Sequence, residues 1–121
     1  MHKTCKAIFC GGRDYANEGA IRKGLLDLSV HERVVIITGG APGADTIAHN
    51  EALRMGYETE VIEADWAFHG ASAGPIRNSQ MIKSLLEGDC YRIVYAFGGG
   101  RGTNDTIKKA QAAGVKVVQV D

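Results

Sequence analysis

The chain has 121 residues, with 14 Lys and Arg set against 14 Asp and Glu, a formal charge of zero. That length suits one domain around one core, and 45% hydrophobic with 23% charged residues argues against disorder and repeat arrays. The balanced charge disfavours stable nucleic-acid binding, because gripping a phosphate backbone needs a concentrated surplus of Lys and Arg.

Thr4 to Cys10 ends in the apolar run Ala7, Ile8, Phe9, Cys10 and breaks at Gly11 and Gly12, as a buried first strand does. Asn17 caps a helix beginning at Glu18, whose Ile21, Leu25 and Leu28 form one apolar stripe. Arg33 to Thr38 is β-branched and continuous, the pattern of a strand covered on both faces, and ends at Gly39 and Gly40. A second helix, about Asp45 to Met55, carries the small-residue row Ala44, Ala48, Ala52 and stops at Gly56. Glu60 to Ala64 reads as a short third strand, followed by a loop holding Asp65, Trp66, Phe68, His69 and Gly70. Pro75 suits the first turn of a third helix running to about Glu87, with Met81, Ile82, Leu85 and Leu86 as its buried face. Tyr91 to Phe97 is the fourth strand. Thr103 caps a last helix closed by Gly114, and Val115 to Val120 is the fifth strand. Strict alternation of strand and helix predicts a single α/β domain over residues 1–121, a parallel, doubly wound Rossmann-like sheet with helices on both faces.

The longest aliphatic run, Val34 to Ile37, is far short of the roughly 20 residues a membrane helix needs, so no membrane partner is expected. Gly11, Gly12, Arg13 and Asp14 interrupt the first hydrophobic stretch, unlike a secretory signal, and a cytoplasmic location is the default expectation. Cys5, Cys10 and Cys90 form neither a CxxC pair nor an even disulfide framework, which points to reduced thiols. His2, His31 and His49 lack metal-ligand spacing. No metal and no cofactor are expected.

Glycine is the anomaly: 16 of 121 residues, about 13% against roughly 7% on average. Three clusters, Gly11-Gly12, Gly39-Gly40 with Gly43, and Gly98 to Gly102, each leave a strand and enter a helix, so all three fall on the carboxyl edge of the sheet where ligands bind. Such turns bring backbone amides close to an anion at a helix N-terminus, or they are simply tight connections. The segment Gly98-Gly-Gly-Arg-Gly-Thr103 is the richest, with Gly99, Gly100 and Gly102 offering amides and Arg101 or the Thr103 hydroxyl a further donor. No GxxxxGK[ST] occurs, and Thr103 stands where the dinucleotide fingerprint needs glycine, which disfavours Walker-type and ordinary dehydrogenase chemistry. Arg77 shares a helix face with Met81 and Leu85. Its guanidinium either reaches the crevice to hold a phosphate or carboxylate, or makes an ion pair with Asp65 or Asp105. Asn78 beside it is a cap or a ligand contact.

Several stretches resemble one family: Gly11-Gly-Arg-Asp-Tyr15, Gly39-Gly-Ala-Pro-Gly-Ala-Asp45, Ala64-Asp-Trp66, His69-Gly70, Ala73-Gly-Pro-Ile-Arg-Asn78 and Phe97-Gly-Gly-Gly-Arg-Gly-Thr-Asn-Asp105. Together they are similar to the YspA-type, YpsA-related branch of the SLOG superfamily. The resemblance implies strand order 3-2-1-4-5, a crevice between strands one and four, a nucleotide or nucleotide-derived ligand, and a homodimer. More distant relatives of this kind include the LOG phosphoribohydrolases, marked by an Arg-Lys pair followed by PGGxGTxxE. Here Arg77 is retained, but Asn78 follows it, Gly98 replaces the proline and Thr106 stands at the catalytic glutamate.

Two functions follow. The leading one is a small-molecule nucleotide binder, sensor or carrier, using Gly12, Arg13, Gly39, Gly40, Arg77, Asn78, Gly99, Gly100, Arg101, Gly102 and Thr103. The alternative is an N-glycosidase-like phosphoribohydrolase, with Arg77 and Asp105 as catalytic candidates, since that reaction needs a carboxylate and a phosphate anchor. Asp14, Asp45 and Asp65 are the other carboxylates, Asp45 and Asp105 also serving a helix dipole and Asp14 and Asp65 being harder to explain as caps. Trp66 stacks on a base or anchors its loop. An assembly module with a vestigial pocket is a third, weaker reading.

Overall fold

The computed structural model describes residues 3–121. His2 lies outside the described residues. Five parallel strands form one sheet in the order β3-β2-β1-β4-β5, as expected. In chain order they alternate with helices: β1 (Thr4–Gly11), α1 (Glu18–Asp27), β2 (Arg33–Thr38), α2 (Ala44–Arg54), β3 (Glu58–Val61), α3 (Trp66–His69), α4 (Ala73–Leu85), β4 (Tyr91–Phe97), α5 (Arg101–Ala112) and β5 (Lys116–Val120).

The pleat divides β1 between two cores. Cys5, Ala7 and Phe9 point to the α1/α2 side, where Ile21, Leu25 and the alanine row Ala44, Ala48, Ala52 are all buried. Ile8 and Cys10 point to the α4/α5 side, against Met81, Leu85 and Ile107. Full burial contributes about 1.5–3 kcal/mol for each large aliphatic side chain, so these two faces hold α1 and α4 in place with little help from helix propensity. Phe9 stacks on Tyr95 at 4.8 Å between ring centroids, tying the two central strands together.

The observed elements correct the sequence reading at four places. The third strand is Glu58–Val61 rather than residues 60–64, because its partner β2 ends at Thr38, which pairs with Val61, and the Ile62 amide makes one last bond to the Thr38 carbonyl. The supposed loop contains α3, whose N-cap is Asp65: its carboxylate accepts from the Phe68 amide at 3.1 Å, so Asp65 is a cap after all. The next helix begins at Ala73 and holds Pro75 in its first turn, as expected, where its missing N–H costs nothing. Leu86 is 43% exposed rather than buried, since α4 ends at Leu85 and Leu86 is its C-cap. The last helix is capped by Gly100, not Thr103, because the Gly100 carbonyl already accepts from the Asn104 amide at 2.9 Å; Thr103 is buried in the first turn.

Candidate functional site

Strand order reverses between β1 and β4, so the turns leaving these strands diverge and open a crevice at the carboxyl edge. A cavity of about 720 Å³ occupies it, within the 300–1,000 Å³ range of small-molecule sites. The turn after β1 brings Gly12, Arg13 and Asp14 to its wall. The start of α2 supplies Asp45, α3 Trp66, and α4 Arg77 and Asn78. Gly99 to Thr103 and Asp105 line the side formed by α5. Gly39 and Gly40 lie instead in an adjoining hollow of about 220 Å³ over β2 and β3, which shares Arg13, Trp66 and Arg77 with the larger one.

The turn after β2 is filled from within. Asp45 is 5% exposed, and its Oδ2 accepts from the Gly39 amide at 3.0 Å and the Ala41 amide at 3.3 Å. Burial raises the Asp45 pKa, against the lowering pull of those amides and of the Arg77 and Arg13 charges. Gly43 has φ 79°, and a Cβ there would collide with the Gly12 carbonyl oxygen and the Arg13 backbone. The Ala44 amide, first in α2, donates to that same Gly12 carbonyl at 3.1 Å. The amides of Gly39, Ala41 and Ala44 are thus occupied by the protein's own carboxylate and backbone.

The turn after β4 is open. The amides of Arg101, Gly102 and Thr103 precede the first intrahelical bond of α5 and carry the positive end of its dipole. A Cβ built on Gly100 or Gly102 meets nothing within 4 Å. Both glycines border the cavity.

Arg77 reaches this space from the first turn and a half of α4. Its Nη1 donates to the Gly39 carbonyl at 2.6 Å and its Nε to Asn78 Oδ1 at 2.9 Å, while a side chain at residue 39 would collide with the guanidinium. Of the two expectations for Arg77, the ion pair with Asp65 or Asp105 is not formed: among the described residues no carboxylate lies within 4.0 Å of it. Asp105 pairs instead with Lys109 at 2.6 Å and accepts from Asn78 Nδ2 at 3.0 Å. Partial burial pushes the Asp105 pKa up, but the bonds from Lys109 and Asn78 outweigh it and hold the carboxyl below its ordinary value. Asn78 is 2% exposed, and its second contact, to the Gly102 carbonyl at 3.1 Å, locks α4 to the start of α5.

Trp66 is 50% exposed with its ring over Gly74, where a Cβ would sit 3.3 Å from the indole. It borders both hollows. Sequence reasoning missed Cys10 and Met81 on the cavity wall and Glu63 in the smaller hollow. Alternation along β1 and the Arg77, Met81, Leu85 stripe carried the signal for the first two; nothing in the pattern marks Glu63. Burial, with the nearby Asp45 charge, pushes the Cys10 thiol pKa up to about 12, which disfavours the reactive thiolate.

Residues 5–69 match the sequence profile of the YspA, cpYpsA-related SLOG family. The Gene 61 protein of Mycobacterium phage D29 is 31% identical over 121 residues, covering 93% of this chain and 94% of that protein. The chain belongs to the YspA, cpYpsA-related SLOG family. Among solved structures, DNA processing protein A (DprA) from Streptococcus pneumoniae superposes with a TM-score of 0.54 over 97% of this chain, at 21% identity. The family chain spans 59% of that protein's length, and at this identity the likeness is one of fold. Among the described residues no helix is long and apolar enough to cross a membrane.

Proposed function

We propose that residues 1–121 form one nucleotide-ligand-binding domain, a sensor or carrier that takes a phosphorylated ribose at the carboxyl edge of the sheet. The observation that carries this reading is the open first turn of α5, on whose amides no side chain is bound among the described residues, beside an Arg77 guanidinium with no carboxylate of those residues within 4.0 Å. A phosphate there accepts from the amides of Gly102 and Thr103 and from Arg77, and both dipole and charge favour it. Arg13 and Arg101, exposed at the rim, draw the anion in. Asp14 accepts from ribose hydroxyls, and Trp66 offers its face to a base.

DprA's name places that protein in DNA processing; here a formal charge of zero and a cavity of ligand size support a small nucleotide over a polynucleotide backbone. The phosphoribohydrolase alternative draws less support. Thr106 stands where the hydrolase glutamate is expected and is buried, and Asp105 is held by Lys109 and Asn78 at a lowered pKa, which suits an anchor better than a proton acceptor. The homodimer implied by the resemblance belongs to the same proposal, and sedimentation velocity with and without nucleotide measures it.

Isothermal titration with AMP and ADP, with product analysis of the same mixtures, tests the reading. Binding without turnover, weakened roughly 10- to 100-fold in Arg77→Ala, is expected, as for loss of a charged hydrogen-bond donor. Binding by neither nucleotide, or affinity indifferent to Arg77→Ala, contradicts it. Free base above a no-protein control, lost in Asp105→Ala, establishes the hydrolase instead.

A further inference from the structure

The two halves of the anion site belong to different helices, Arg77 to α4 and the amides of Gly102 and Thr103 to α5. One side chain touches both. Asn78 Oδ1 accepts from Arg77 Nε at 2.9 Å, and its Nδ2 donates to the Gly102 carbonyl at 3.1 Å and to Asp105 Oδ2 at 3.0 Å. Asn78 is 2% exposed, and both hydrogens of its amide are spent inside the protein. We propose that Asn78 and Asp105 are positioning residues: Asp105 sets the orientation of the Asn78 amide, and that amide fixes the Arg77 guanidinium beside the open turn of α5. The proposal rests on the nucleotide-binding reading above and names the residues that set the strength of its phosphate contact.

The neighbours of the amide permit one orientation. A carboxamide accepts at its oxygen and donates at its nitrogen, and the two ends exchange by rotation about one bond, so the surroundings decide which way it points. Arg77 can only donate and needs the oxygen; the Gly102 carbonyl can only accept and needs the nitrogen. Asp105 also only accepts: partial burial pushes its pKa up, but the bonds from Lys109 and Asn78 keep the carboxyl below its ordinary value and so ionised. Lys109 donates to Asp105 Oδ2 at 2.6 Å and to the Pro75 carbonyl, in the first turn of α4, at 2.8 Å, which ties the carboxylate to both helices. Turning the amide over would face N–H groups to a guanidinium and an oxygen to two acceptors, losing three bonds together.

Adjacent residues on a helix diverge by about 100° and do not ordinarily meet. The bond from Arg77 to Asn78 is therefore a constraint on the arginine rather than a by-product of spacing. With Nε on Asn78 and Nη1 on the Gly39 carbonyl at 2.6 Å, the guanidinium is held at two points. Of its five donors, both on Nη2 and one on Nη1 remain, a pair of nitrogens that can meet two oxygens of one phosphate. A guanidinium already held loses less freedom on binding, which raises affinity.

The relay is tested first without ligand, by hydrogen exchange of the Arg77 Nε–H in proton–nitrogen spectra of the full chain, and then with ADP by isothermal titration. The Asp105 side chain is 33% exposed and alanine is a strong helix former, so Asp105→Ala is expected to fold, with thermal unfolding as the check. In this variant the Nε–H is expected to exchange about 10-fold faster than in the parent, and ADP to bind about 10-fold more weakly, as for loss of one hydrogen bond to a charged group. Asp105→Asn keeps an oxygen that accepts from Asn78 and recovers most of both, which a carboxylate needed for its charge or for proton transfer would not allow. In an Arg77→Ala background the effect of Asp105→Ala on ADP shrinks below about twofold, because a residue acting through Arg77 has nothing left to position. A full loss in that background overturns the proposal, since Asp105 then acts on the ligand or on the fold by itself. Equal losses in Asp105→Asn and Asp105→Ala overturn it too, as does Nε–H exchange that is the same in Asp105→Ala and the parent. Failure of the parent chain to bind ADP overturns the nucleotide reading, while an intact exchange difference still supports the hold of Asp105 on Arg77.

Discussion

The turns after β2 and β4 are alike as strings, glycine-rich runs between a buried strand and a helix, and opposite as sites. In the first, Asp45 reaches back to the amides of Gly39 and Ala41, and Gly43 lets α2 press against the Gly12 carbonyl. In the second, the Thr103 side chain fills the space beside Gly99, but among the described residues no side chain hydrogen-bonds to the amides of Arg101, Gly102 and Thr103, and Gly100 and Gly102 face empty space. Glycine in the first turn makes room for the protein itself; Gly100 and Gly102 in the second leave room for something else. Whether the carboxylate that follows the glycines is aimed back at them decides which: Asp45 is the second residue of α2, whereas Asp105 is the fifth of α5 and turns to Asn78 and Lys109.

Gly43→Ala breaks the first turn outright. The methyl needs a backbone conformation at φ 79° that L residues avoid and a space held by main-chain atoms, together a cost of about 3–5 kcal/mol. Thermal unfolding followed by circular dichroism is expected to fall by more than 10 °C, roughly, for that loss in a chain of this size.

Asp45→Ala is next. It strands two backbone donors, one at buried Gly39, at about 2–3 kcal/mol by urea denaturation, and Asp45→Asn, which keeps an acceptor, recovers most of that. Equal loss in the two variants would mean that the carboxylate's charge, not its hydrogen bonds, holds the turn.

Gly102→Ala has the opposite sign. Placed inside a helix with nothing near its Cβ, alanine stabilises the chain by about 0.5–1 kcal/mol, a rise of a few degrees in melting temperature, while its methyl enters the cavity and weakens ADP binding. A variant both more stable and equally able to bind would show that the open turn is not where phosphate sits.

The smallest effect is one of pH. Burial raises the Asp45 pKa in the folded chain, so the folded state holds this proton more tightly than the unfolded one. Stability from this group is complete below the unfolded value, about 3.9, and declines as pH rises through the folded value. The melting temperature of Asp45→Asn relative to the parent is therefore expected to climb across that window and then level off.

Much of this was legible in the residues. Continuous β-branched runs such as Val34 to Ile37, ended by glycine just beyond Thr38, announce buried parallel strands, and the stripe Ile21, Leu25, Leu28 announces the face of α1. Arg77 was legible because its helix face leads to Met81 and Leu85, both buried. What escaped depends on partners in space. The end of β3 is set by where β2 stops, and the cap of α5 by a backbone bond from the Asn104 amide to the Gly100 carbonyl that leaves no trace in composition. The role of Asp45 depends on a six-residue return of the chain, and Glu63 draws meaning only from the Gly40 and Arg77 beside its hollow.

The most direct test of the contrast is an amide proton–nitrogen correlation spectrum recorded during titration with ADP. The expected result is large, saturable shifts at Gly99 to Thr103 and at the Arg77 side chain, with the Gly39 and Ala41 amides nearly still. Shifts concentrated at Gly39 to Gly43, with the α5 turn unmoved, would contradict the account.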